Sequence, residues 1–251
     1  GGAPGMTGAA VLAARAALHA GAGRVFVALL DGCSLLVDPL QPELMFRHPD
    51  AVNVRESTVV CGCGGGDAVR GVLPLLLSQA PRLVLDADAL NAIATDSALQ
   101  TQLAARVGRM ARDHFATILT PHPLEAARLL ACSTGQVQAN RLQAARQLAD
   151  KFQCTIVLKG AGSIIAAPGQ VLGINLSGNA KLATAGTGDV LAGMIGAVLA
   201  GCQTAFQAAC IATHCHGQAA NDWPADQTLT ASQLAQRIQI SQDSIAHRFR
   251  P

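Results

Sequence analysis

Short runs of Val, Ile and Leu recur along the chain at Arg24–Leu30, Thr58–Cys61, Arg82–Leu85, Ala116–Leu119 and Thr155–Leu158. Apolar runs of this length, bounded by Gly, Pro, Asp or Asn, read as strands buried on both faces. Between them, Ala- and Leu-rich stretches with helical spacing lie near 6–20, 67–79, 97–112, 123–131 and 135–151. Strand–helix alternation of this kind predicts a mostly parallel central sheet flanked by helices on both faces. A hairpin is predicted for Ser163–Ala167 and Val171–Ile174, because Pro168-Gly169-Gln170 between them is turn chemistry. The remaining patterns, 187–201, 204–221 and 231–239, are helical. No repeat, low-complexity tract or linker interrupts the pattern, so residues 1–251 are expected to form a single α/β domain.

Half of the 251 residues are apolar, enough for a substantial core. Lys+Arg 18 against Asp+Glu 16, with no charged block and only seven aromatics, argues against nucleic acid and against a polybasic membrane surface. The longest apolar stretch, Val190–Cys202, is too short to cross a bilayer and is broken by glycines. With no basic-then-apolar leader at its start, the chain is expected to be cytoplasmic. The eight cysteines sit in apolar runs without a CxxC pair. They read as reduced, buried small hydrophobes that catalysis does not need, Cys63 included. His214-Cys215-His216 resembles a metal motif, but residues two apart on a helix face different ways, and no metal site is expected there.

In doubly wound sheets ligands sit beyond the carboxyl ends of the strands. Those positions are rich in Gly, Asp, Asn and His. Gly186-Thr187-Gly188-Asp189 opens an apolar helix. Free amides at a helix N-terminus suit a phosphate or a developing anion. An acid there repels phosphate unless it takes a proton from a hydroxyl while the Gly186, Thr187 and Gly188 backbone holds the phosphoryl charge. The plain alternative is an acid that only favours its helix dipole. Lys159, one of three lysines in the chain, ends a strand and opens Gly160-Ala161-Gly162-Ser163, a loop whose backbone can approach phosphate; it can equally cap the hairpin. Asp86 and Asp88 could hold magnesium through water or orient a substrate hydroxyl, and Asp88 could simply cap the next helix. His122 is pinned between two prolines at a strand end, a placement that favours ligand contact, and Glu125 falls in the first helical turn, where a dipole role is expected.

Taken together, Gly1-Gly2-x-x-Gly5-Met6-x-Gly8-Ala9-Ala10, Leu18-x-x-Gly21-Ala22-Gly23, Asp86-Ala-Asp-Ala-Leu-Asn91, Thr120-Pro-His-Pro123, Leu158-Lys-Gly160 and Gly186-Thr-Gly-Asp-Val-Leu-Ala-Gly193 resemble the ADP/ATP-dependent NAD(P)H-hydrate dehydratases of the ribokinase-like superfamily. The resemblance implies repair of (S)-NADHX or NADPHX: ADP or ATP, with Mg2+, phosphorylates the ring hydroxyl, and phosphate then leaves. It implies that Ala9, Gly64, His122 and Asp189, with Asp86 and Asn91, meet the hydrated dinucleotide. Lys159, Gly160, Ala161, Gly162, Ser163 and Gly188 would meet the nucleotide. It further implies a homo-oligomer, often a tetramer, fused to or partnered with NAD(P)H-hydrate epimerase. The sequence departs from the family at Gly62-Cys-Gly-Gly-Gly66, where Gly-Pro-Gly-Leu-Gly is usual, and at Leu124, where glycine is usual. It also opens without the strand that normally precedes Gly1-Gly2, and the expectation is a sheet lacking a central strand, as in a chain cut from a larger protein. A small-molecule kinase for a vitamin or thiazole shares Gly186–Asp189 but leaves Asp86–Asn91 and Thr120–Pro123 unexplained; a nucleotide-sensing module predicts binding without turnover.

Overall fold

The computed structural model describes residues 1–32, 35–109, 115–202, 204–238 and 240, so Cys33 and the far ends of the helices predicted over 97–112 and 231–239 lie outside the described residues. The strands are β1 (Phe26–Val27), β2 (Met45–Phe46), β3 (Thr58–Cys61), β4 (Arg82–Leu85), β5 (Ala116–Leu119), β6 (Thr155–Leu158), β7 (Ile164–Ala166) and β8 (Gly173–Ile174). The helices are α1 (Thr7–His19), α2 (Val69–Gln79), α3 (Ala87–Ala94), α4 (Ser97–Ala105), α5 (Pro123–Leu130), α6 (Thr134–Ala139), α7 (Arg141–Phe152), α8 (Thr187–Gly201), α9 (Ala205–Asn221) and α10 (Ala231–Arg237).

Strands β3 to β8 pair in sequence order, β3 through β6 parallel and β6–β7–β8 antiparallel. Alternation along each strand sends side chains to opposite faces. Leu83, Leu85, Leu119, Ile156 and Leu158 pack with α2, α3, α5 and α7, whereas Val84, Ile118 and Val157 pack with α8, α9 and α10. Both faces are therefore dry, as a parallel sheet requires. The predicted hairpin forms as β7 and β8, with Gly169 at positive φ in its turn.

Three expectations change. Only Phe26–Val27 of the run Arg24–Leu30 is a strand, and it pairs with the unpredicted Met45–Phe46 in a separate two-stranded sheet. Between the two sheets runs the start of the chain: the Leu30 amide donates to the Gly1 carbonyl at 2.9 Å, and the Gly2 and Ala3 amides donate to the carbonyls of Cys63 and Gly64 at 3.0 and 2.7 Å. The helix predicted over 135–151 breaks at Asn140, whose non-helical backbone (φ −147°, ψ 75°) ends α6 and whose side chain accepts from the Gln143 amide to start α7. A short helix, α3, follows Asp86 directly.

α1 and α8 cross at Gly193, where an added Cβ would lie 2.0 Å from the Ala13 carbonyl oxygen. Intrinsic propensity favours Gly→Ala inside a helix by about 1 kcal/mol, but a clash with backbone forces the helices apart at a typical cost of about 1–3 kcal/mol. Gly193→Ala is therefore expected to lower stability by up to about 2 kcal/mol in denaturant unfolding; a stabilised variant would show that the crossing has room for a methyl group.

Candidate active site

The parallel strands end along one rim, and backbone hydrogen bonds continue past their ends. The Asp86 amide donates to the Cys61 carbonyl, Thr120 to Leu85 and Lys159 to Pro121, at 3.0, 3.1 and 2.9 Å. This stacks the loops after β3, β4, β5 and β6 in register. Gly62 adopts φ +121°, and a Cβ there would fall 1.8 Å from the Asp86 carbonyl oxygen, so only glycine lets the β3 and β4 loops lie this close.

The stacking brings Asp86, Lys159, Glu125, Cys63 and Asp189 into one cluster. The Lys159 ammonium donates to Asp86 Oδ1 at 2.6 Å and lies 3.9 Å from Glu125 Oε2. Thr120 Oγ1 donates to the same Asp86 oxygen at 2.8 Å. Asp86 and Glu125 are almost fully buried, at 2% and 3% exposure. Opposite them α8 begins at Gly186, whose φ of +89° turns the chain into the helix, with Asp189 in its first turn. Gly188 borders the Lys159 ammonium, since a Cβ added there would lie 3.6 Å from it. Gly64 lies against Met6 and Ala9 at the start of α1.

Burial disfavours charge, and the cluster titrates accordingly. Burial lifts Glu125 to about 7, with Lys159 opposing and Asp86 adding to the shift. Asp189 rises to about 6, first through burial and then through the Asp86 carboxylate, while the Cys63 thiol and Lys159 pull it down. Burial works against the Lys159 ammonium, yet Asp86 and Glu125 carry it above the ordinary lysine value. The Cys63 thiol is pushed well up by burial and by Asp86 and Asp189. A carboxylate that titrates near neutrality, at a helix N-terminus beside a glycine loop, can take a proton from a bound hydroxyl.

Several residues do other work than expected. Lys159, expected to aim its charge at phosphate, turns its ammonium inward because two buried carboxylates would otherwise be uncompensated. Asp88 does not cap α3; its Oδ2 accepts from the Gly66 amide at 2.9 Å and ties down the β3 loop. Thr187 spends its hydroxyl on the carbonyls of Leu182 and Thr184. Asn91 stands apart from the ion cluster and accepts from Arg128 at 2.7 Å, linking α3 to α5. His122 caps α5: its Nδ1 accepts from the Leu124 and Glu125 amides, Glu125 Oε2 accepts from the His122 amide in return, and the half-exposed ring keeps Nε2 3.2 Å from Glu125 Oε1. Glu125 is thus a member of the site and not merely a dipole partner. Its signal in the sequence was the capping-box spacing His122-x-x-Glu125.

Around Gly160–Ser163 the carbonyls are gathered inward. Arg141 donates to those of Leu158, Lys159 and Ala161, and Ser163 Oγ donates to that of Gly160. The loop's amides are the groups left to meet a ligand. Arg141 carried no sequence signal of its own, and His216, set aside with the His214-Cys215-His216 motif, places its buried Nε2 3.0 Å from the Thr187 carbonyl oxygen.

The ligand atoms of Cys63, Asp86 and Asp189 lie within 4.8 Å of one another, a spacing that a cation could bridge. The donor set does not suit magnesium: Lys159 already neutralises Asp86, and a thiol is a poor ligand for a hard cation that prefers oxygen. Asp88 is likewise committed to Gly66.

Residues 1–241 match the family profile for NAD(P)H-hydrate dehydratase. The chain belongs to the NAD(P)H-hydrate dehydratase family. It is 42% identical to the ADP-dependent (S)-NAD(P)H-hydrate dehydratase of Neisseria meningitidis serogroup B, over 95% of this chain and 80% of that protein. It is 36% identical to the bifunctional NAD(P)H-hydrate repair enzyme Nnr of Moorella thermoacetica, over 97% of this chain but only 46% of that longer protein. Among solved structures, the ADP/ATP-dependent NAD(P)H-hydrate dehydratase of Bacillus subtilis, co-crystallised with ATP/Mg2+ and soaked with CoA, superposes with a TM-score of 0.75 at 27% identity, covering 93% of this chain and 86% of that one. The ribokinase-like α/β fold expected from the motifs is the fold this family member has. Among the described residues no helix is long and apolar enough to cross a membrane.

The titration of Glu125 makes stability depend on pH. The folded protein keeps a proton on this carboxyl up to about pH 7, whereas the unfolded chain releases it near 4.5. The stabilisation is complete below about pH 4.5 and is lost as pH rises through about 7. Asp189, at about 6 against an ordinary 3.8, slopes the same way. Glu125→Gln is expected to remove a decline on the order of 2 kcal/mol between those limits in denaturant unfolding; an unchanged slope would mean that Glu125 ionises normally.

Proposed function

We propose that the chain dehydrates (S)-NADHX or NADPHX at the expense of ADP or ATP, with Asp189 as the base. The observation that carries this is Asp189 itself, a carboxyl lifted to about 6 beside the amides of a glycine-opened helix. Asp189 takes the proton of the ring hydroxyl as that oxygen attacks the terminal phosphoryl group, and the bond to the nucleotide leaving group breaks. The backbone at Gly186–Gly188 and the loop Lys159–Ser163 hold the phosphoryl charge. Phosphate then departs with the carbon–oxygen bonding pair, and loss of a proton from the adjacent ring carbon restores the double bond. Hydroxide is a poor leaving group and phosphate a good one, which is why a nucleotide is consumed. Lys159 keeps Asp86 and Glu125 from repelling the incoming phosphates. Ala9, Gly64 and His122 line the side on which the hydrated dinucleotide would lie. Magnesium would arrive on the nucleotide phosphates, since the carboxylates here are otherwise engaged.

The same reading places the chain in the cytoplasm as a single domain over residues 1–251. It includes a homo-oligomer, a tetramer, supported by exposed Val171, Ile174 and Leu176 along the hairpin edge. An epimerase supplying the S form would act beside it, on the same polypeptide or as a partner. The match to about half of a bifunctional relative supports this arrangement.

Incubation with NADHX and ADP or ATP is expected to restore NADH absorbance. A vitamin-type kinase would leave NADHX untouched, and a sensor would bind nucleotide without turnover. Asp189→Asn is expected to lower single-turnover conversion by roughly 10²–10⁴-fold while ADP binding holds or improves, because the repelling charge is gone. A mere helix cap would lose only a few tenths of a kcal/mol on that change, so near-normal turnover would remove Asp189 from the mechanism.

A further inference from the structure

We propose that Arg141 is the positioning residue of the nucleotide half of the site: by holding the carbonyls of Leu158, Lys159 and Ala161 it turns loop amides outward, and its guanidinium supplies the positive charge behind them. The ligand it serves is a nucleoside diphosphate or triphosphate. The inference rests on the reading of Lys159–Ser163 as the nucleotide loop and assigns to Arg141 the charge that Lys159 gives to Asp86.

The geometry starts at α7. Asn140 caps that helix, its side chain accepting from the Gln143 amide, and Arg141 is the first helical residue. Its Nη1 donates to the Ala161 carbonyl at 2.5 Å, and its Nη2 to the carbonyls of Leu158 and Lys159, each at 3.4 Å. A planar trans peptide points its C=O and N–H in opposite directions. Fixing the Lys159 and Ala161 carbonyls on the guanidinium therefore aims the Gly160 and Gly162 amides away from it. Ser163 Oγ donates to the Gly160 carbonyl at 3.1 Å and does the same for the Ala161 amide. Among the described residues none of these three amides donates to a backbone carbonyl. The approach also needs glycine: Gly160 adopts φ +144°, and a Cβ there would lie 2.8 Å from Arg141 Nη2.

Charge completes the argument from geometry. The Lys159 ammonium is held by Asp86 at 2.6 Å with Glu125 beside it, so its charge is already neutralised. The other two lysines are committed elsewhere, Lys151 to the Leu129 carbonyl and Lys181 to those of Ala225 and Gln227. Among the described residues Arg141 has no carboxylate partner: burial alone pulls its guanidinium below the ordinary arginine value, and its buried Nε has no acceptor. Carbonyls hold the guanidinium without neutralising it, so its charge stays to be met by an anion across the loop. A cation bound to carbonyl oxygens also polarises those peptide groups and strengthens the amides on their far side as donors. Lysine would serve less well, because an ammonium lacks the planar fork that reaches three carbonyls at once.

The test compares Arg141→Gln and Arg141→Lys with the parent protein. Titration calorimetry reads affinity for ADP and ATP, and NADHX turnover reads kcat and the KM of each substrate. Arg141→Gln is expected to raise the Kd and KM for nucleotide about ten- to a hundredfold, with KM for NADHX little changed and kcat at saturating nucleotide falling far less than the affinity. Arg141→Lys, which keeps the charge and loses the fork, should recover part of the affinity. A merely structural role would not favour one substrate over the other. If the Gln variant does not fold, Arg141→Lys is measured against the parent alone, with a rise of about three- to tenfold confined to the nucleotide. Parental nucleotide affinity in the variant measured, an equal rise in KM for NADHX, or a Lys variant no better than Gln would overturn the proposal. A parent that binds nucleotide without turning over the hydrate would defeat the dehydratase reading, while calorimetry on the same variants would still decide Arg141. A parent that binds neither ADP nor ATP would overturn both.

Discussion

The ammonium of Lys159 sits 2.6 Å from Asp86 and 3.9 Å from Glu125, and the whole rim is arranged around it. Two carboxylates about 4 Å apart at an effective dielectric near 20 repel by roughly 4 kcal/mol, so a cation among Asp86, Glu125 and Asp189 offsets part of the cost of gathering them in a buried space. The ammonium comes from the end of β6, Asp86 from β4 and Glu125 from the helix after β5. The ion cluster therefore depends on the parallel register that sets those strand ends level.

The compensation is incomplete, and the proposed base chemistry draws on the remainder. One ammonium does not offset three carboxyls, so burial raises two of them, Glu125 to about 7 and Asp189 to about 6. A carboxyl pushed toward neutrality is a stronger base when ionised than an ordinary surface aspartate. The arrangement costs stability at neutral pH and concentrates basicity at the mouth of a glycine loop. The same loop is fixed from behind, where Thr187 ties itself to Leu182 and Thr184 and His216 meets the Thr187 carbonyl. Pre-organisation of this sort spares the site from ordering its backbone when a phosphoryl group arrives.

Much of this was legible along the chain. Continuous apolar runs mark strands buried on both faces, and four of the five predicted runs are strands of the main sheet with the bounds expected. The fifth, Arg24–Leu30, contributes two residues to a separate sheet, because pairing depends on which strand lies alongside and not on the run itself. Helix breaks were less visible: Gln-rich 135–151 has unbroken helical spacing, and only the Asn140 side chain closing on Gln143 shows why the chain restarts there. The motif residues were found because strand-end Gly, Asp and His are conspicuous in an apolar chain.

What the sequence by itself determined is therefore the α/β class and the gathering of Asp189, Asp86, His122 and Lys159 at strand ends and helix starts along one rim. These follow from local rules, since strand runs, turn glycines and helix starts each depend on neighbours a few residues away. What only the tertiary structure decided is which partner each charge takes. Asp86 and Lys159 are 73 residues apart along the chain, and Asp189 comes within 4.8 Å of Asp86 from the start of α8. Pairing at that range is set by the balance of desolvation against Coulomb attraction in a particular packed space. No pattern in the sequence encodes that balance, so the pairing of Lys159 with Asp86 and the burial of Glu125 beside it show only once the strands are set side by side.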